Sequence, residues 1–269
     1  MGELITIHDD NYIEHMHYVG PDRALRRKGL VPRDLTKFPP GCMAAVGTTF
    51  PWDLIPESEW AGRIAEQAAK QTSVQHIRDI GNNGQPIPSY DQNGKGYCWA
   101  HSSTSAVTML RAVNGEPYVP MSAYAVACVI KSYRDEGGFG GESLQFIADK
   151  GIPSSQFWPM QSMSSKNDNP NTWANAATHK CIQWVECDQN ATTRRQQVAT
   201  ALLLGFPVIV DYNWWSHSVC AIRLMDAQTV RILNSWGDSW SQNGVGDLQG
   251  SKAWPDDAWV PLVEQASQT

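Results

Sequence analysis

The chain has 269 residues, 42% of them hydrophobic and 12 of them tryptophan, enough apolar side chain for one large core or two modest lobes. Its formal net charge of -6 argues against general affinity for nucleic acid or an anionic membrane. The longest apolar run, residues 198–210, is interrupted by Gly205 and Pro207 and is too short to cross a bilayer, so no membrane partner is expected.

In chain order, residues 1–75 read as an N-terminal extension punctuated by Val31-Pro32 and Phe38-Pro39-Pro40-Gly41, with a short helix predicted over 60–70. His8, His15 and His17 with Asp9-Asp10 lack the fixed spacing of a metal site, and no metal or other cofactor is expected. Arg23, Arg26, Arg27 and Lys28 are balanced by nearby acids and read as a solvated helix face. No cationic and then apolar leader opens the chain, so the expected location is cytoplasmic or virion-associated.

Residues 76–269 read as one unit. Gly81-Asn82-Asn83-Gly84 is a turn, and a polar, Gly-rich loop from Asp91 runs into a helix that starts at or next to Cys98 and stops at Asn114-Gly115. Two further helices are predicted, from Ser122 as N-cap to about residue 132 and over 142–150 before Gly151. Residues 153–173, rich in Ser, Asn, Pro and Trp, read as loop. Strands then dominate, at 182–187, 208–212, 217–225, 229–234 and near 246–248, with one helix at 194–204. A helical half, about 90–160, followed by a sheet half, about 180–250, makes an α+β fold with a cleft between the two.

Three polar side chains stand out against this frame. A thiol at a helix N-terminus meets unpaired amides and the positive end of the helix dipole, both of which favour thiolate. Cys98 has that position, but a lone Cys is more often a small buried hydrophobe. His217 begins one predicted strand and Asn234 ends the next, with Asp226-Ala227-Gln228 as the hairpin turn, so the two fall side by side at one sheet end.

With Gln92 six residues before Cys98-Trp99-Ala100, then His217, then Asn234-Ser235-Trp236-Gly237, Trp240 and Asn243-Gly244, the chain resembles a papain-like cysteine protease over roughly residues 77–248. The resemblance implies a two-lobe fold and a thiol protease hydrolysing peptide bonds: a thiolate–imidazolium pair of Cys98 and His217, Asn234 orienting the ring, Gln92 in the oxyanion hole and Trp236 covering the His–Asn contact. It also implies substrate contacts at Gly140, Gly141, Glu142, Trp236 and Ser216. Glu142 would favour a basic substrate side chain. The departures are specific. Lys95 stands where the family has a Cys, Gly138 where that Cys would find its partner, and the spacing from Cys98 to His217 is below the roughly 130–150 residues typical of the family. A second family disulfide in the region of Cys128 and Cys181 makes that the first pair to check, although free thiols are the default for all six cysteines.

The expected partner is a peptide or protein substrate, plus a docking partner if the extension is an arm. The extension itself has three readings: a divergent pro-segment, a docking arm, or extra packing on the lobes, the last being the plainest. Two alternatives to an endopeptidase stay open. One is a papain-fold thiol hydrolase acting on another amide or isopeptide, as in a cell wall or a protein conjugate. The other is a structural or virion-associated component.

Overall fold

The structure, a computed structural model, describes residues 2–16, 27–43, 49–81 and 84–264. His17, Arg23, Arg26, Asn82 and Asn83 lie outside the described residues. The strands are β1 (Thr6–Ile7), β2 (Cys181–Glu186), β3 (Val208–Tyr212), β4 (His217–Asp226), β5 (Thr229–Leu233), β6 (Val245–Gln249) and β7 (Asp257–Glu264). The helices are α1 (Tyr12–Met16), α2 (Glu57–Lys70), α3 (Val74–Ile80), α4 (Cys98–Val113), α5 (Ala123–Ile130), α6 (Gly140–Lys150), α7 (Pro170–Ala176) and α8 (Ala191–Leu203).

All seven strands join one sheet in the order β1-β6-β5-β4-β3-β7-β2, with β1 parallel to β6 and every other pair antiparallel. Because successive strand residues point to opposite faces, the sheet serves two cores. Ile209, Cys220, Ile222, Leu233 and Trp259 face α4, α5 and α6 in one core. Val208, Val210, Val219, Ala221, Ile232 and Val260 face α8 and Trp60 of α2 in the other. Helix α4 is buried from Cys98 to Arg111, so its axis is fixed by packing on all sides.

The predicted helices and strands of residues 98–249 are present to within a few residues. Ser122 precedes α5 as expected, yet its hydroxyl makes no cap bond and is left without a partner. Five elements went unpredicted: β1, α1, α3, α7 and β7. Helix α7 grows inside the polar loop because the Asn169 side chain accepts from the amides of Asn171 and Thr172 ahead of Pro170. Helix α3 is capped by Ser73 in the same way. Strand β7 contains Pro261, which would argue against a strand inside a sheet. Pairing with β3 stops at Trp259, though, and a bulge at Gln183 and Trp184 of β2 lies opposite the proline.

The residues expected as an N-terminal extension over 1–75 are woven through the molecule. Strand β1 forms a sheet edge, Gln67 of α2 donates to the carbonyls of Leu202 and Leu203 at 2.9 Å, and Val74 is fully buried in the α4 core. Cys128 and Cys181 are both free, as are the other four cysteines. Among the described residues no helix is long and apolar enough to cross a membrane.

Trp259 stands where α6 meets the sheet, in contact range of the Cβ positions of Gly140 and Gly141. Trp259→Ala should lower unfolding free energy by about 3–5 kcal/mol. Val263→Ala, on the same strand but 38% exposed, should change it by under about 0.5 kcal/mol. Urea denaturation midpoints of the two variants check the contrast.

Candidate active site

Cys98 is the first residue of α4, and His217 the first of β4, on the parity that faces away from that helix with Val219 and Ala221. The next residue, Ser218, faces α4, where its hydroxyl is 2.6 Å from that of Ser102. The Ser218 amide also hydrogen-bonds the Cys98 sulfur. The thiol thus touches β4 within one residue of the imidazole.

Asn234 follows β5 directly, beside His217 as the hairpin implied. Its Oδ1 accepts from the Ser235 amide at 2.8 Å and lies 2.8 Å from His217 Nε2. An oxygen already taking an amide N–H faces the ring as acceptor, so Nε2–H donates to it and Nδ1 of the neutral ring is the bare base. Nδ1 has no hydrogen-bond partner and is buried. The ring lies between Trp236, at 4.8 Å and 28°, and Trp215, edge-on at 4.8 Å. Trp236 therefore covers the His–Asn contact as expected from its position.

Gln92 is fully buried and held on three sides. Its amide donates to the Ser235 carbonyl at 2.9 Å, its Oε1 accepts from the Ser235 hydroxyl at 2.6 Å, and its carbonyl accepts from Tyr124 Oη at 2.8 Å. That leaves Nε2 as the free end, and both of its hydrogens are taken: by the Lys95 carbonyl and by the Arg27 carbonyl, each at 2.6 Å.

Arg27 belongs to a segment the sequence gave no reason to place here. Residues 27–33 lie along the groove between the helices and the sheet. Gly29 N–H donates to Cys98 Sγ at 3.3 Å, and Leu30 N–H to the Ser216 carbonyl at 3.2 Å. Gly138 N–H donates to the Gly29 carbonyl and Val31 N–H to the Gly138 carbonyl, both at 2.9 Å, which makes a parallel bridge centred on Leu30. Gly29 admits no side chain, since a Cβ there would sit 1.9 Å from the Gly96 carbonyl oxygen. That close approach, in an otherwise unremarkable Gly-Leu-Val-Pro run, is invisible without the fold.

Two expectations about the walls need correcting. The extended backbone lies against Gly138, not against Gly140 and Gly141, which open α6 and pack on Trp259 and Ile209. Glu142 is not an open acidic wall, because both of its carboxylate oxygens are 2.8 Å from Lys131 Nζ, whose ammonium also lies over the Trp99 ring. The residue facing Lys95 is Asp135, 3.6 Å away in an ion pair, and not Gly138. Asp135 also takes the Gly96 amide at 2.8 Å and pairs with Arg27. Ser216 does line the groove, through its carbonyl and with a left-handed backbone at φ 51°.

Burial sets the protonation of the pair. With the segment in place both Cys98 and His217 are fully buried. Desolvation pushes the Cys98 thiol up to about 12 and the His217 imidazole down to about 3, against the amide and Asn234 hydrogen bonds that favour the charged forms. Burial thus favours a neutral thiol and a neutral ring over the expected thiolate–imidazolium pair, and no hydrogen bond joins the Cys98 sulfur to His217 Nδ1. For His217 the unfolded ring protonates near 6.5 and the folded ring only near 3. The unfolded state thus gains a proton first, and stability falls as pH drops from about 6.5 toward 3. Replacing His217 by Phe, which fits the same aromatic cage, should make the slope of unfolding free energy between pH 6 and 4 shallower by up to about 1.4 kcal/mol per pH unit. Chemical denaturation of both chains at several pH values in that window tests it.

No family profile matches the chain. Among curated proteins, Zingipain-2 of Zingiber officinale is 23% identical over 191 residues, covering 62% of this chain and 83% of that protein. Chymopapain of Carica papaya is 24% identical over 185 residues, covering 62% of this chain and 52% of its own length. Cathepsin K of Mus musculus is 23% identical over 224 residues, covering 74% and 64%. The match thus spans only about half of chymopapain. Among solved structures, xylellain, a cysteine protease from Xylella fastidiosa, superposes with a TM-score of 0.56 at 18% identity over 68% of this chain and 84% of that one. Digestive procathepsin L 3 of Tenebrio molitor larval midgut gives 0.52 at 16% identity over 77% and 90%. The sequence relatives and the fold neighbours agree: the chain has a papain-like fold, and its sequence is similar to papain-family cysteine proteases.

Proposed function

We propose that this chain is a cysteine peptidase held latent by its own residues 27–33. In the open enzyme His217 Nδ1 takes the Cys98 proton and the sulfur attacks a substrate carbonyl carbon. The negative charge that develops on the carbonyl oxygen is met by Gln92 Nε2–H and the Cys98 amide. Asn234 keeps Nε2 protonated so that Nδ1 is the base, and the protonated ring then gives its hydrogen to the leaving amine. Trp236 and Trp215 exclude water from that ring.

The observation that carries this reading is the pair of contacts made by the groove segment. The Arg27 carbonyl sits on Gln92 Nε2, the donor assigned to the oxyanion, while the Gly29 N–H, a hydrogen-bond donor, points at the sulfur. A chain placed this way fills the oxyanion donor with one of its own carbonyls and sets an N–H, not a carbonyl, against the sulfur. Desolvation beneath it keeps thiol and imidazole neutral, which removes the nucleophile as well.

The test uses the Gly29→Ala chain, in which the added methyl collides with the Gly96 carbonyl and lifts the segment. Alkylation of Cys98 by iodoacetamide at neutral pH should be slow in the parent and at least tenfold faster in Gly29→Ala. The gain should vanish when His217→Ala is added. Gly29→Ala should also cleave a peptide library that the parent leaves intact. Equal labelling of parent and variant, or a labelled variant that cuts no peptide, would sink the proposal. In the open background, Gln92→Ala should lower kcat by about 100-fold or more, in line with removal of one oxyanion donor.

A further inference from the structure

The groove segment ends at Arg33, four residues beyond Gly29 and about 13 Å along an extended strand. Its side chain is 3% exposed. Nη1 lies 2.5 Å from Glu186 Oε1 and 3.6 Å from Asp257 Oδ2. Nε and Nη2 donate to the Phe38 and Pro39 carbonyls, just beyond the segment, at 2.7 and 2.8 Å. Beside it a cavity of about 180 Å³ lies between the segment and a wall that includes Asp211, Asp256, Asp257 and Gln189.

The wall gathers carboxylates around the Arg33 guanidinium. Gln189 Nε2 holds Asp257 at 3.1 Å and Glu186 at 3.3 Å, fixing the two carboxylates toward each other. Asp211, on the cavity wall and 2% exposed, accepts the Gly140 amide through Oδ2 and has the Ser218 side chain as its other polar neighbour, with Oδ1 outside good hydrogen-bond geometry. Arg194 also acts on Asp257 electrostatically, but its guanidinium is engaged by the carbonyls of Pro255, Asp188 and Gln189. Without Arg33 the carboxylates would face one another across a partly dry space, where like charges repel strongly.

We infer that the Glu186–Asp257 carboxylate pair, at the edge of this cavity, is a substrate subsite for a guanidinium or ammonium side chain, and that Arg33 holds it as an internal stand-in. The inference rests on the proposed peptidase reading and names its specificity determinant. The groove backbone bonds to Gly138 and Ser216 accept any extended peptide, whereas this cavity, on the Gly138 side of the sulfur, selects a cationic residue three to five positions from the bond cut. It takes over the selective role expected of Glu142, which Lys131 has neutralised.

The probe is N-acetyl-arginine amide, titrated calorimetrically into the full chain carrying Arg33→Ala, with N-acetyl-norleucine amide as the uncharged comparison. The arginine amide should bind at least tenfold more tightly than the norleucine amide, and the preference should disappear on adding Glu186→Gln and Asp257→Asn. The parent, with Arg33 in place, should bind neither. If Arg33→Ala does not fold, Arg33→Met, which keeps the apolar stem, takes its place in the same titration. A preference under twofold overturns the subsite. Iodoacetamide labelling of Cys98 in the Gly29→Ala chain separates the two ideas. A labelled, peptide-cutting chain without arginine preference overturns the subsite alone, and an unreactive Cys98 overturns the peptidase reading and the substrate role of the subsite with it.

Discussion

The removal of one sulfur and one imidazole from water governs this structure. Cys98 and His217 stand where α4 meets β4, a junction that would open on a groove if residues 27–33 were absent. With the segment present, the Gly29 amide donates to the sulfur and both side chains are fully buried. Burial penalises the charged form of each, and the hydrogen bonds from Ser218, Gly29 and Asn234 do not offset it. Protonation state here follows from chain placement more than from the intrinsic chemistry of the pair.

What holds the two walls in register is a small polar lattice behind the groove. Ser235 binds the backbone and side chain of Gln92, and its own amide binds Asn234, so the loop before α4 and the end of β5 are a single hydrogen-bonded unit. Tyr124 of α5 ties the same loop to the helical half. Buried polar groups satisfied by several partners are costly to disturb, which makes this the rigid side of the site. The segment side is different. It is held by backbone bonds to Gly138 and Ser216 and by Arg33, and each of those contacts is of a kind that a substrate backbone or a cationic side chain can replace.

The places where sequence reasoning missed share a cause. Gly140 and Gly141 attracted attention as a glycine pair, but glycines serve close approach of any kind, and here the approach is of Trp259 to a helix. Glu142 read as a free acid because Lys131 is a helical turn and a loop away in sequence. Lys95 pairs with Asp135 where the resemblance implied a family disulfide lost at Lys95 and Gly138, and nothing local to either residue announces the other. Strand β7 was not read from the sequence, and it tolerates Pro261 because its pairing with β3 stops at Trp259.

By itself the sequence determined the elements and the chemistry-bearing residues. Alternating apolar positions in 208–233, the stop at Asn114-Gly115, and the order Gln92, Cys98, His217, Asn234 all depend on neighbours a few residues apart, where periodicity and capping act. Tertiary structure alone decided what fills the groove, which glycine it lies on, and which carboxylates remain for a cation. Those are contacts between residues scores of positions apart, such as Gly29 with Cys98 or Arg33 with Glu186. Their formation is set by how two cores close around one sheet, and no local pattern encodes that.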